Sequence, residues 1–337
     1  MTIKDIARES GYAVGTVSRV INKNPNVSQA ARDRILEVIR KYNFQPNSNA
    51  KHLKQQASQG IAMIVKGTHN MLFAPILEKM QTECTAAGYN GMVYYIDEND
   101  NEVDRARQIC REHKPYGVIF LGSDSNNFSR ELDELGVPCL LMTNMADTSN
   151  IENLSSVSVD DIAAASQMIR HLHARGHRRI GLIGGDLQRS RPSSARLAGC
   201  LSAFSSLGLS FEADIQYQDA RFTMPGGYKA MERLLETYPD LTAVFAFSDI
   251  MAIGAIRALR DHGLRVPQDV SVCGFDGIEL ADYLTPRLTT IRQPADRLAS
   301  RGVSILIRCI EEDGDAVHEL VPYELVEGES VLKLDGQ

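Results

Sequence analysis

The chain has 337 residues, 43% of them hydrophobic and 23% charged, and a formal net charge of −7. That length supports two or three domains with real cores. No apolar run approaches membrane-spanning length and no secretory signal precedes the first predicted helix, so a soluble cytoplasmic protein is expected. The charge is uneven: residues 1–60 hold ten Lys/Arg against four Asp/Glu, while the remainder holds 26 against 39. A basic head on an acidic body fits a nucleic-acid module joined to something that is not one. The six cysteines (84, 110, 139, 200, 273 and 309) show no CxxC spacing, and are expected to be buried thiols.

The first predicted helix starts near Thr2, a candidate N-cap with Asp5 three residues on, and puts Ile3, Ile6 and Ala7 on one face. Gly11 suits the left-handed residue that ends it. In the second helix Val17, Val20 and Ile21 point inward, leaving Val14, Gly15, Ser18, Arg19 and Asn22 outside. Ser28 caps a third helix whose buried stripe is Ala31, Ile35, Val38 and Tyr42. This is a helix-turn-helix, an arrangement that sets the start of its second helix in the DNA major groove. Arg19 is the long side chain there able to hold guanine O6 and N7, worth about 1–3 kcal/mol of discrimination. Val14 offers only an apolar contact, and Gly15 only close backbone approach. Thr16, Ser18 and Asn22 suit phosphates, which fix register.

A polar, basic segment follows, from Phe44 to Gly60. Pro46 can open a short helix carrying Ala50, Leu53 and Lys54, too short to be stable alone. Two readings stand side by side. Leu53 either wedges into a minor groove with Lys54 beside it, or packs a plain linker onto the body. From Gly60 onward short apolar runs alternate with amphipathic stretches. Strands are expected at 61–65, 91–96, 118–121, 139–142, 180–183, 214–218, 244–247 and 270–273. Helices are expected near 74–87, 102–113, 161–175, 195–207, 226–237 and 250–263. That alternation predicts two doubly wound lobes of parallel sheet, with ligands beyond the carboxyl ends of the strands. Ser248-Asp249 and Asp276 lie at such ends.

Thr2-Ile-Lys-Asp-Ile-Ala7, Thr16-Val-Ser-Arg-Val-Ile-Asn22, Asn26-Val-Ser28 and Phe44-Gln-Pro-Asn47 together resemble the LacI/GalR family of bacterial transcription regulators. Later landmarks are Arg175-Gly-His177, Arg196-Leu-Ala-Gly199, Ser248-Asp249, Gly274-Phe-Asp276 and Leu288 to Pro294. The resemblance implies a periplasmic-binding-protein-like body of two α/β lobes, residues 59–337, behind a head at 1–45 and a hinge at 46–58. It implies a homodimer on a near-palindromic double-stranded operator, with paired hinge helices inserting Leu53. DNA contacts are expected from Thr2, Val14, Gly15, Thr16, Ser18, Arg19, Asn22, Asn47, Ala50, Leu53 and Lys54. Val14 and Gly15 depart from the base-reading side chains usual at those positions, shifting readout to Arg19 and to deformability of the central step.

The effector is expected to be a small molecule, a sugar or sugar derivative, held between the lobes. Arg196 and Asp276 are its expected polyol-holding pair. Phe222 and Phe73 are expected to contact it from opposite lobes, with Ser193, Asn144 and Asp249 as further contacts. Asp249 could equally cap its own helix. No metal or cofactor is expected: His173 and His177 share a helical face only if the helix continues past Gly176, no third ligand of suitable spacing joins them and His171, and Gly181-Leu-Ile-Gly-Gly185 is neither a dinucleotide fingerprint nor a Walker loop. A sugar- or nucleotide-processing enzyme and a transport-type sugar-binding protein are the rival readings. No catalytic constellation supports the first; the basic head opposes the second.

Overall fold

In a computed structural model, residues 3–21, 27–42, 60–67, 70–97, 100–123, 128, 130–145, 151–312 and 314–334 are described. Side chains are included except at residues 3, 4, 18, 21 and 130. The chain divides into two compact units, Met1–Ala57 and Ser58–Gln337.

Among the described residues of the first unit three helices close one small core: α1 (Ile3–Ser10), α2 (Val14–Ile21) and α3 (Gln29–Lys41). Ile6, Ala7, Val17, Val20, Ile35 and Val38 form that core, the residues that helical spacing put on inward faces. Gly11 adopts φ +78°, and its N–H and that of Tyr12 both return to the Ala7 carbonyl, closing α1. Ser28 caps α3 by accepting from the Ala31 N–H at 3.4 Å. The expected stripe of α3 differs at its end. Tyr42 is 40% exposed, because it lies beyond the last turn with its hydroxyl donating to Glu9.

The second unit is two lobes, each built on a six-stranded sheet. The first sheet contains β1 (Gly60–Lys66), β2 (Asn90–Ile96), β3 (Gly117–Leu121), β4 (Cys139–Met142), β5 (Leu154–Ser158) and β11 (His318–Leu320). Its order is β11-β5-β4-β3-β1-β2, parallel throughout. The second sheet contains β6 (Ile180–Gly184), β7 (Tyr217–Asp219), β8 (Ala243–Ala246), β9 (Ser271–Asp276), β10 (Thr289–Arg292) and β12 (Glu324–Val326). Its order is β12-β10-β9-β8-β6-β7, with β12 alone antiparallel. Strands such as Val118-Ile-Phe-Leu121 are fully buried, as parallel strands covered on both faces must be. The chain passes between lobes at 158–161, 292–295 and 320–324.

The helices of the first lobe are α4 (Phe73–Ala86), α5 (Glu102–His113) and, arriving last in sequence, a long helix at Ala295–Glu312 that packs on α4. The second lobe carries α6 (Asp161–Ala174), α7 (Arg191–Ser206), α9 (Met224–Thr237) and α10 (Asp249–Asp261). The strand expected at 214–218 is displaced. Ala213–Gln216 is a helical turn, α8, and the strand occupies Tyr217–Asp219. The buried Gln216 side chain accounts for this: it accepts from the Glu212 N–H and donates to the Ile180 carbonyl, winding the backbone into a turn before it can pair. Strand β5 also went unexpected, because its core positions Ser155, Ser156 and Ser158 are buried serines.

Helices α9 and α10 touch backbone to backbone. A Cβ on Gly254 would run into the Met224 carbonyl and the Tyr228 amide. Gly254→Ala is therefore expected to cost about 1–3 kcal/mol through overpacking. Urea melts of the full chain should show the midpoint falling at constant slope; an unchanged midpoint would contradict the contact.

Candidate functional site

A cleft with a cavity volume of about 390 Å³ opens where the carboxyl ends of both sheets face each other. That volume lies within the range of small-molecule sites. The first lobe contributes Lys66, Phe73, Ser123 and Asn144; the second contributes Arg196, Phe222, Asp276 and Gln293.

Two aromatic rings face in from the two lobes, each seated against a glycine. Gly122 has φ +74°, and a Cβ there would lie 2.5 Å from the Phe73 ring. A Cβ on Gly185 would lie 2.8 Å from the Phe222 ring. Asp276 ends β9 at φ 119°, a sparsely populated conformation for a residue with a side chain. It is held there because the Gln293 N–H donates to its carbonyl and the Gln293 amide donates to Oδ1, both at 2.9 Å. Its other oxygen, Oδ2, is buried without a hydrogen-bond partner, as are Ser123 Oγ and Gln293 Oε1. Burial pushes the Asp276 carboxyl up to about 7, against the opposing pull of Arg196 and Gln293.

Arg196 sits deeper than a simple sugar clamp. Its Nε donates to Asp161 Oδ1 at 2.8 Å, its Nη1 to the Phe247 carbonyl, and its guanidinium stacks 3.6 Å from the centre of the Phe275 ring. It thereby ties α7 to the start of α6 and to β8 and β9, while still forming part of the wall. Burial outweighs this pairing at Asp161, whose carboxyl is raised. On the first lobe Lys66 Nζ pairs with the fully buried Glu102 at 2.8 Å, and the Asn144 amide donates to the Ser123 carbonyl at 2.6 Å.

Five of the seven expected cleft residues line the cavity: Phe73, Asn144, Arg196, Phe222 and Asp276. Ser193 and Asp249 stand behind the wall. Ser193 Oγ accepts from the Gly185 N–H at 2.8 Å and so positions that strand end. Asp249 neither lines the cavity nor caps α10, a task performed by Ser248 through the Met251 N–H. Its two oxygens accept from Thr290 Oγ1 at 2.5 Å and from the Ile278 N–H at 2.9 Å, pinning the turn after Asp276. Lys66, Ser123 and Gln293 were not anticipated. For Gln293 the signal was present, since it lies in the Leu288 to Pro294 motif.

On the head, Val14 is 42% exposed, and Gly15 and Arg19 are exposed beside it, with Thr16 half-buried. Among the described residues a Cβ on Gly15 would meet nothing within 4 Å, so packing there gives no reason for glycine. Of the other expected DNA contacts, the Ser18 side chain and Thr2, Asn22, Asn47, Ala50, Leu53 and Lys54 lie outside the described residues. His177 bridges Thr242 Oγ1 and the Leu332 carbonyl, and among the described residues no group of three or more His, Cys, Asp or Glu is placed to hold a metal. No described helix is long and apolar enough to cross a membrane.

The comparisons agree with this geometry. A family model described as "Bacterial regulatory proteins, lacI family" matches residues 2–47, and one described as "Periplasmic binding protein-like domain" matches residues 169–331. The HTH-type transcriptional regulator MalR of Clostridium butyricum is 33% identical, across 99% of this chain and 100% of its own. The chain belongs to the LacI family. The ribose operon repressor of Escherichia coli (strain K12) is 31% identical over 92% of this chain and 93% of its own. A solved structure of the transcriptional regulator CelR in complex with cellobiose is 29% identical with a TM-score of 0.72, covering 98% of this chain and 99% of that one. As a LacI-family member the chain is a DNA-binding transcriptional regulator with an effector-binding domain, not an enzyme. Its architecture is a helix-turn-helix joined to two parallel α/β lobes of the periplasmic-binding-protein type.

Proposed function

We propose that this LacI-family member is a cytoplasmic repressor whose operator affinity is switched by a neutral, hydroxyl-rich small molecule, a sugar or sugar derivative, held between the lobes. The observation that carries this reading is that three residues lining one cavity flanked by Phe73 and Phe222 each hold a buried polar atom without a partner: Ser123 Oγ, Asp276 Oδ2 and Gln293 Oε1. Two of these atoms are acceptors, which hydroxyl donors would satisfy, and aromatic faces suit the C–H faces of a sugar ring. CelR was solved with cellobiose, which supports the same chemistry here. Arg196, Asn144 and Asp276 would touch the ligand directly; Ser193 and Asp249 would act by holding the wall.

In this reading residues 1–45 read DNA, 46–58 form the hinge with Leu53 as its wedge, and 59–337 bind effector and pair two copies on a near-palindrome. The ligand favours one lobe arrangement and thereby changes operator affinity, a coupling typically about 1–3 kcal/mol. D-ribose and cellobiose titrated onto the purified full chain should raise its melting temperature, and Phe222→Ala should abolish that rise. A rise unaffected by Phe222→Ala would place the ligand elsewhere.

The head allows a separate test. Gly15→Ala removes a helix penalty of up to about 1 kcal/mol and meets no neighbour, so the head should gain stability. If Gly15 serves close approach to DNA, operator affinity should fall in the same variant. Unchanged affinity in a stabilised head would remove that role from Gly15.

A further inference from the structure

The second-lobe wall of the cleft and the layer behind it hold more buried carboxylate than guanidinium. Asp276, Asp161 and Asp249 are 2%, 8% and 0% exposed, and they come from the end of β9, the start of α6 and the start of α10. Arg196 acts on Asp161 and Asp276 from α7, but its Nε is committed to Asp161 and its Nη1 to the Phe247 carbonyl. Asp249 accepts from Thr290 and the Ile278 N–H, while burial, and after it the charge of Asp276, push its carboxyl well up. Across the cavity Lys66 is paired with Glu102, and on the second lobe Arg189 lies 3.9 Å from Asp186. Asp276 is left with one donor, the Gln293 amide on Oδ1. Its Oδ2 and the adjacent Gln293 Oε1 are both buried acceptors without partners.

Two buried acceptors short of donors are unfavourable, and a proton on Asp276 supplies a donor to one of them. A half-turn of the Gln293 amide exchanges its oxygen and nitrogen. A protonated Asp276 can then donate from Oδ1 to Gln293 Oε1. With Asp276 ionised, the amide donates to it as observed. Gln293 therefore serves either protonation state, and the rigid turn pinned by Asp249 keeps the carboxyl in place through both.

We infer that the Asp276–Gln293 pair is a proton-linked ligand reader, which holds a proton in the empty cleft and releases it to solvent when ligand hydroxyls donate to Asp276 Oδ2. The inference rests on the reading of the cleft as the effector site. In balance, a neutral Asp276 carboxyl and a ligand hydroxyl become a carboxylate accepting that hydroxyl's hydrogen bond, plus one proton in water. Burial sets the free carboxyl at about 7, so the exchange falls in the physiological range. Ligand donation stabilises the ionised form and lowers that value in the complex. Affinity should accordingly rise with pH, up to tenfold per unit, between the bound and free values, and level off above about 7.

Difference potentiometric titration of the ligand-free full chain against its Asp276→Asn variant tests the holding step. The wild type should take up one additional proton with a midpoint near 7. Gln293→Leu, which removes the amide donor, should move that midpoint upward. Calorimetry of the wild type with D-ribose and with cellobiose, in buffers of different ionisation enthalpy, tests the release. Bound sugar with net proton release supports the proposal, and binding with buffer-independent heat overturns it. If neither sugar binds, the sugar reading of the cleft fails, and the titration then decides alone: a missing step, or one unmoved by Gln293→Leu, sinks the reader.

Discussion

Arg196→Ala is expected to destabilise the body by about 3–5 kcal/mol, the range for removing one partner of a buried ion pair. The reason lies in what Arg196 leaves behind. Asp161, 8% exposed in the intact chain, would lose its guanidinium, and the Phe247 carbonyl and Phe275 ring would lose their cation together. Arg196→Lys should recover only part of the loss, because an ammonium cannot match the planar fork or stack in the same way. The double variant Arg196→Met with Asp161→Leu should recover much more, since well-packed apolar residues commonly replace a buried pair at little cost. Urea unfolding of the three variants measures all of this, and a loss below about 1 kcal/mol for Arg196→Ala would show the pair to be dispensable. A consequence for effector studies follows. Loss of ligand response in Arg196→Ala would mix a missing contact with a loosened wall, so Phe222→Ala and Asp276→Asn are cleaner probes.

The second large effect is expected at Asp249. Asp249→Ala strips the partner from the Thr290 hydroxyl and from the Ile278 N–H, both at buried positions. Leaving a buried donor unsatisfied costs about 1–3 kcal/mol each, so a total of roughly 2–6 kcal/mol is expected. Thr290→Val removes one of the two partners and should cost less. The double variant should cost clearly less than the sum of the singles, because they share one hydrogen bond. Asp249 also fixes the turn that presents Asp276, so binding of any cleft ligand should weaken in parallel with stability. Lost sugar binding at wild-type stability would mean that Asp249 touches the ligand directly, contrary to its position behind the wall.

How far the sequence reaches depends on which physical signal each residue leaves. Fully apolar runs such as Val118–Leu121 declare a buried strand, whereas Leu154-Ser-Ser-Val-Ser158 conceals one, because its core serines mimic a loop. The expected series stopped at Cys273, yet Leu298, Gly302, Leu306 and Cys309 mark a legible buried stripe on the helix Ala295–Glu312. Arg196, Phe222 and Asp276 could be picked out by resemblance and chemistry. Their partners could not: the Asp161 carboxylate and the Phe247 carbonyl meet Arg196 from 35 and 51 residues away. Asp249 shows the limit most clearly. Its place at a strand end suggested either a cap or a ligand contact, and only the register of β10 beside β9 reveals the brace it forms with Thr290.

The three passages between lobes mean that neither lobe is one continuous stretch of chain. The first lobe needs β11 to flank β5 and the helix Ala295–Glu312 to cover α4, both drawn from the far end of the sequence. The second needs β12 beside β10 and the Leu334 N–H on the Arg175 carbonyl. During synthesis, then, the head can fold as soon as it leaves the ribosome, while both lobes wait with an open edge until the stretch from Ala295 to Leu334 has emerged. A nascent chain halted before that point should present a finished DNA reader on an unfinished body.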